Sequence, residues 1–222
     1  MRALIFAAAL ALTASGAGAL AAADSPQFEW PTAEPGAIPD LRIAAVIKTA
    51  RENARSAATR AEEGRRAAAQ THRHEALLGL VGAKPRSATI DDETVVTTAG
   101  INGRVGRFGT ITYDSGATLT GLIADGTGVY RASPESRLAQ FSGWVFGATR
   151  SSPQPMDGQF SFRNGDTFVG SSGTGYGVYT SANGETRFVG KVDFDNYPLR
   201  PVVGTLEDRQ GHLLANVNNG GF

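Results

Sequence analysis

The sequence predicts a mainly β protein: an elongated, single-layer antiparallel sheet of tandem β-hairpins, preceded by one long α-helix. Three observations carry this. From residue 109 onward glycine recurs in a fixed frame around short stretches of alternating polar and apolar residues. Asn-Gly pairs at 164–165 and 183–184 fall between such stretches, where a hairpin turn belongs. Residues 41–78 instead are built from helix formers, with small and apolar positions stepping by four and three.

The first 23 residues read as an export signal. Arg2 is a minimal basic start, "ALIFAAALALTA" an apolar stretch, and Ala21-Ala22-Ala23 a small-residue cleavage site. The alternative is an anchor that stays in place, since about twenty apolar residues span a bilayer. Small residues at the end favour cleavage before Asp24, and the expected location is then outside the cytoplasm, periplasmic or secreted in a bacterium. The chain has no cysteine, so the exported fold must hold without disulfides. Residues 24–40 carry Pro26, Pro31, Pro35 and Pro39, which block helix and ladder formation and predict an extended linker. Phe28 and Trp30 in it are expected to rest on the nearest surface.

Asp40 is a natural N-cap for the helix expected over 41–78, and Gly79, Gly82 and Pro85 are expected to end it. Ile43, Ile47, Ala50, Ala54, Ala57, Ala61, Gly64 and Ala68 form its seam. Such a small-residue stripe lets two helices approach closely, as in a coiled-coil homodimer, or docks onto the chain's own sheet. This stretch holds eight basic and four acidic residues, whereas 24–40 holds four acidic and no basic ones. Over the whole chain 21 basic residues balance 21 acidic ones, which argues against nucleic acid as a partner.

The glycine frame follows over 94–217. "GTITYDSGATLTG" (109–121) aligns with "GQFSFRNGDTFVG" (158–170), and "GTGVY" (126–130) with "GYGVY" (175–179), each 49 positions apart. Units open at Gly109, Gly128, Gly158, Gly177 and Gly204, and these glycines are expected to serve the backbone. Asn-Gly predicts type I′ turns, with positive φ at both central residues. Alternation places Tyr113, Tyr130, Phe160, Phe162, Phe168, Tyr179 and Phe188 on a sheet face, the candidate binding surface.

"FVGSSGTGYGVYTSANGETRFVG" (168–190) resembles the MORN repeat, in which aromatic-x-Gly, Gly-x-Gly and a turn glycine recur, and "LTGLIADGTGVY" (119–130) is similar to a second copy. The resemblance covers roughly residues 109–217. Phe and Leu stand at several places where the family favours Tyr, and residues 144–157 insert a long connector. The resemblance implies a module that binds protein or associates with membranes.

Catalytic and metal motifs are absent from the sequence. "GTGYG" (173–177) lacks the Lys-Ser/Thr of a phosphate loop. His72 and His74, two apart on a helix, face away from each other. Asp193 and Asp195 lack the Gly and Glu of a calcium loop. The expected function is therefore non-enzymatic, without cofactor or metal: binding of a protein or cell-envelope component through the aromatic face or a sheet edge. The alternatives are an envelope carbohydrate-active enzyme using surface carboxylates and a lipid-surface binder through the basic helix. N-terminal sequencing of the protein recovered from its native host is expected to begin at Asp24. An intact Met1 in a membrane pellet would place the protein in the anchored class.

Overall fold

The computed structural model describes residues 26–80, 86–90, 93–97, 108–150 and 152–220; the expected signal segment lies outside them. Asp40 caps as anticipated, its carboxylate accepting from Arg42 N at 3.0 Å at the head of a 3-10 turn, Leu41–Ile43. The helix α1 then runs over Ala44–Leu80 and passes through Gly79 rather than stopping at it. A small antiparallel pair follows, β1 (Arg86–Ile90) and β2 (Glu93–Thr97). Residues 94–97 therefore belong to this pair and not to the repeats.

The remaining strands are β3 (Gly109–Thr112), β4 (Thr118–Leu122), β5 (Thr127–Arg131), β6 (Leu138–Phe146), β7 (Gln154–Phe162), β8 (Thr167–Ser171), β9 (Tyr176–Thr180), β10 (Thr186–Asp193), β11 (Arg200–Asp208) and β12 (Leu213–Asn218). They form one ten-stranded antiparallel sheet in which every strand pairs with its neighbour in sequence. The odd strands from β3 to β11 open five hairpins. Gly109, Gly128, Gly158, Gly177 and Gly204 each sit within one of them.

The register shows what the glycine frame does. Gly109, Gly121, Gly128, Gly143, Gly158, Gly170, Gly177, Gly190 and Gly204 pair in succession across nine strands, and Val217 of β12 ends the column. Two residues before a glycine, on the same face, stands a large side chain that folds back over it. A Cβ on Gly170 or Gly177 would lie 2.6 or 2.5 Å from Cζ of Phe168. On Gly190 or Gly204 it would lie 2.9 Å from Cζ of Phe188. The recurring aromatic-x-Gly phrase is thus a packing unit: the ring needs the empty place that the glycine supplies. Gly177 and Gly128 are required by this close approach and not by a left-handed backbone.

The other face carries α1. A 37-residue helix is roughly 55 Å long, and nine strands span roughly 40 Å. The helix crosses them in reverse order. Arg51 meets Glu207 of β11 at 2.8 Å, Arg65 meets Gln159 of β7 at 3.2 Å, Thr71 donates to Gly121 O of β4 at 3.2 Å, and Glu75 accepts from Thr110 of β3 at 3.0 Å. Ile43, Ala50, Ala57, Ala61, Gly64 and Ala68 are buried, while Ile47 and Ala54 are half-buried. The seam is therefore real, but its partner is the chain's own sheet. It is not free to pair with a second helix, which corrects the coiled-coil reading.

The turns also differ from expectation. At the Asn164-Gly165 turn, Phe162 O accepts from Gly165 N at 3.0 Å and Phe162 N donates to Asp166 O at 2.9 Å, with positive φ at Gly165. This is a longer loop closed by a single left-handed glycine, not a two-residue type I′ turn. The asparagine contributes its side chain instead: Asn164 Oδ1 accepts from Asp166 N at 3.1 Å, and Asn183 Oδ1 from Glu185 N at 3.0 Å.

Two substitutions check this packing. An alanine at a helix glycine normally stabilises by about 1 kcal/mol. At Gly64, however, a Cβ would meet Gly128 O at 2.5 Å and Gly143 N at 2.7 Å. Gly64→Ala is expected to destabilise by about 1–3 kcal/mol, as overpacking does. Gly177→Val is expected to cost at least as much, from the Phe168 side. Urea unfolding measures both, and a more stable Gly64→Ala protein would show that the helix does not dock.

Candidate functional site

The seven aromatics form, or pack against, the core. Tyr113, Phe160, Phe162, Phe168, Tyr179 and Phe188 are buried, and Tyr130 is half-buried against the same cluster. What closes this face is the chain itself. Connector residues Ile123, Ala148, Phe194 and Leu199 join the cluster or pack on it. The Pro-rich segment lies over it as a strap. Glu29 N donates to Leu199 O at 2.9 Å, Leu199 N to Gln27 O at 2.8 Å, and Arg200 pairs with Glu29 at 3.1 Å. Phe28 is 3% exposed and stacks on Tyr179 with ring centroids 4.2 Å apart. Phe28 therefore does more than rest on a surface, and the core rings are covered, although a hollow of about 290 Å³ remains between Trp30, Pro31 and Ala33 of the strap and Thr186, Leu206 and Leu214 of the sheet. A ring-rich face in a sheet this thin is too apolar to stay in water, so the segment nearest in sequence covers it.

Tyr179 shows the strength of this enclosure. Its hydroxyl donates to Asp166 Oδ2 at 2.9 Å, and the same carboxylate accepts from Ala182 N at 2.8 Å and Asn164 Nδ2 at 2.9 Å. Burial first, then the Asp166 charge, pushes the phenol well above its ordinary range. It stays protonated as a structural donor.

The sheet edges are also partly engaged. The strap continues along β12, where Glu34 N donates to Leu214 O at 3.0 Å and Asn216 Nδ2 donates to Ile38 O at 2.5 Å. Among the described residues no group of His, Asp and Glu is arranged to hold a metal ion. His72 faces Glu75 at 3.2 Å, and His212 pairs with Asp208 at 2.8 Å. Asp193 caps its own turn, and its hydrogen bonds from Asn196 and from Asp195 N hold it below the usual carboxylate range. That makes it a poor proton donor near neutrality.

Among the described residues, polar hollows lie on the helix side. One flank of α1 and the strand ends beside it enclose a hollow of about 230 Å³ lined by Asn53, Ser56, Arg60, Asp157, Ser171 and Thr174. Thr174 is shared with a second hollow of about 360 Å³ that reaches Lys191, Asp193 and Asp195. Register alignment places Trp144 beside Asp157 and Tyr176 beside Lys191 along this flank. Each ring has a cation above it, Arg60 over Trp144 and Lys191 over Tyr176, both at 6.0 Å. Phe146, on the same strand as Trp144 and 6.0 Å from it, is 48% exposed.

Sequence reasoning missed this flank because its residues are scattered over six elements and the loops between them, and share no motif. The alternation of β6 and β9 does put Trp144 and Tyr176 opposite the core face. That was the one available signal, since a face that excludes the core aromatics but keeps large rings needs another use for them.

No protein-family model matches the chain, and no curated protein matches it. The described helix is not apolar enough to cross a membrane.

Tyr179→Phe tests whether this ring belongs to the core. It leaves Asp166 short of one donor in a buried place, and unfolding is expected to become easier by about 1–3 kcal/mol. An unchanged urea midpoint would show the hydroxyl to be dispensable and reopen a surface role for this residue.

Proposed function

We propose that the protein is an exported, non-catalytic repeat module, MORN-like in its glycine and aromatic spacing, that binds a protein or cell-envelope component. The binding surface is the groove flanking α1 and not the aromatic face. The observation that carries this reading is the contrast between the two sides of the sheet. The core rings are covered by strap and connectors, while the helix side keeps an unfilled hollow lined by polar side chains, with Trp144 and Tyr176 in register beside Asp157 and Lys191. Asp193, which its turn hydrogen bonds hold below the usual carboxylate range, is unsuited to act as a general acid, and Asp157 faces Arg60 at 4.0 Å. A lipid-surface role for the basic helix has less support. Arg51, Arg65 and Arg66 are each engaged with a carboxylate, and its buried stripe faces the sheet.

The test is co-sedimentation of the mature chain with the envelope fraction of its native host. Wild type is expected to be retained. Trp144→Ala combined with Tyr176→Ala is expected to lower retention at least fivefold while the melting transition persists. Absence of retention, or equal retention of both proteins, would overturn the reading.

A further inference from the structure

The groove flanking α1 has a chemistry that narrows its ligand, and the following inference rests on the groove being the binding surface. Its polar groups are paired only loosely, by one long hydrogen bond and one long ion pair. Asn53 Nδ2 lies 3.4 Å from Thr174 Oγ1, and Arg60 lies 4.0 Å from Asp157. Arg51, two residues before Asn53 on the same helix, and Glu207 close to 2.8 Å. The helix can therefore form a tight pair with the sheet, yet at the groove it leaves donors and acceptors with capacity to spare. Polar groups so placed bond water or a ligand.

The charges there oppose each other. Arg60 faces Asp157, and Lys191 lines the same hollow as Asp193 and Asp195. Such a lining favours neither a polyanion nor a polycation. It is also too polar for an acyl chain. What remains is a neutral molecule rich in hydroxyls that can both donate and accept. The aromatic rings add the second half of the recognition. Trp144 lies on β6 and Tyr176 on β9, three strand spacings apart, or roughly 14 Å. Ring faces at that separation, with hydroxyl, amide and carboxylate groups between them, match a short chain of pyranose rings. The apolar C–H faces of sugars stack on aromatic rings while their hydroxyls reach the polar floor.

We propose that this groove is a saccharide site that takes a neutral oligosaccharide several units long, stacked at Trp144 and Tyr176 and hydrogen-bonded by Asn53, Arg60, Asp157 and Thr174. The ligand is bound and released unchanged.

The probes are cellotetraose, chitotetraose and maltotetraose, titrated calorimetrically into the full mature chain. A Trp30→Phe background isolates Trp144 as the remaining tryptophan, because the chain has two. At least one tetrasaccharide is expected to bind and to change Trp144 fluorescence. Asn53→Ala, which removes the amide, and the isosteric Asp157→Asn, both at half-buried positions, are expected to weaken that binding at least tenfold. Thr167→Ala, on the other flank of the same face, is expected to leave it unchanged. No binding of any of the three at millimolar concentration overturns the proposal, as does binding that both groove variants leave intact. If envelope retention depends on Trp144 and Tyr176 but no sugar binds, the saccharide assignment falls and the binding surface stands. If a sugar binds without envelope retention, the envelope reading falls instead.

Discussion

The close approach of large side chains to a column of nine glycines sets the geometry of both faces. On one side Phe141, Phe168 and Phe188 lie back over glycine pairs. On the other, Gly64 of α1 comes down onto the backbone of Gly128 and Gly143. Each contact is possible only because no Cβ intervenes. Glycine in a strand weakens it through lost backbone entropy and absent side-chain packing. Here the loss is offset by ring burial on one face and helix burial on the other. An alanine-seamed helix offers little apolar area of its own. Dispersion contacts at short range make up for this, and they need a flat counter-surface.

The same constraint explains the division of labour between the faces. Rings that cover glycines must be buried, so they cannot also serve as an open recognition surface. Their burial requires a lid, and the Pro-rich strap with Phe28 provides it. Proline suits that task because an extended segment with few internal hydrogen bonds can follow the surface it covers. The proposed binding surface is therefore on the helix side. There, Trp144 and Tyr176 alternate with Gly143 and Gly177 of the column and so lie on the face opposite the core rings.

Much of the architecture was legible in the sequence. The alternating strands, the five hairpins and the long helix were all visible in periodicity, and Asp40 as a cap was readable from residue type alone. Three features were not. The turn type depended on loop length, which the Asn-Gly pair does not encode: Asn164 and Asn183 act through their side chains. The helix seam could have served a twin helix or a sheet equally well, since small residues fit both. The burial of the aromatics followed from a strap that composition marked only as irregular. The candidate groove was hidden for a different reason. Asn53, Arg60, Asp157, Ser171 and Thr174 come together through the docking of α1, a contact between segments about a hundred residues apart.

The placement of α1 also bears on cooperativity. A meander of hairpins ordinarily behaves as a one-dimensional array, in which each unit answers only to its neighbours and the ends fray independently. A single rod that touches β3 through β11 abolishes that independence. Loss of any hairpin removes part of the rod's seat, and loss of the rod bares every hairpin at once. The rod is also synthesised first, yet its Arg51 finds Glu207 only after 156 further residues have been made. Contact order is thus low within the sheet and high for its splint. The chain can assemble its ladder piecemeal, but it reaches its final compact form only when β11 has emerged.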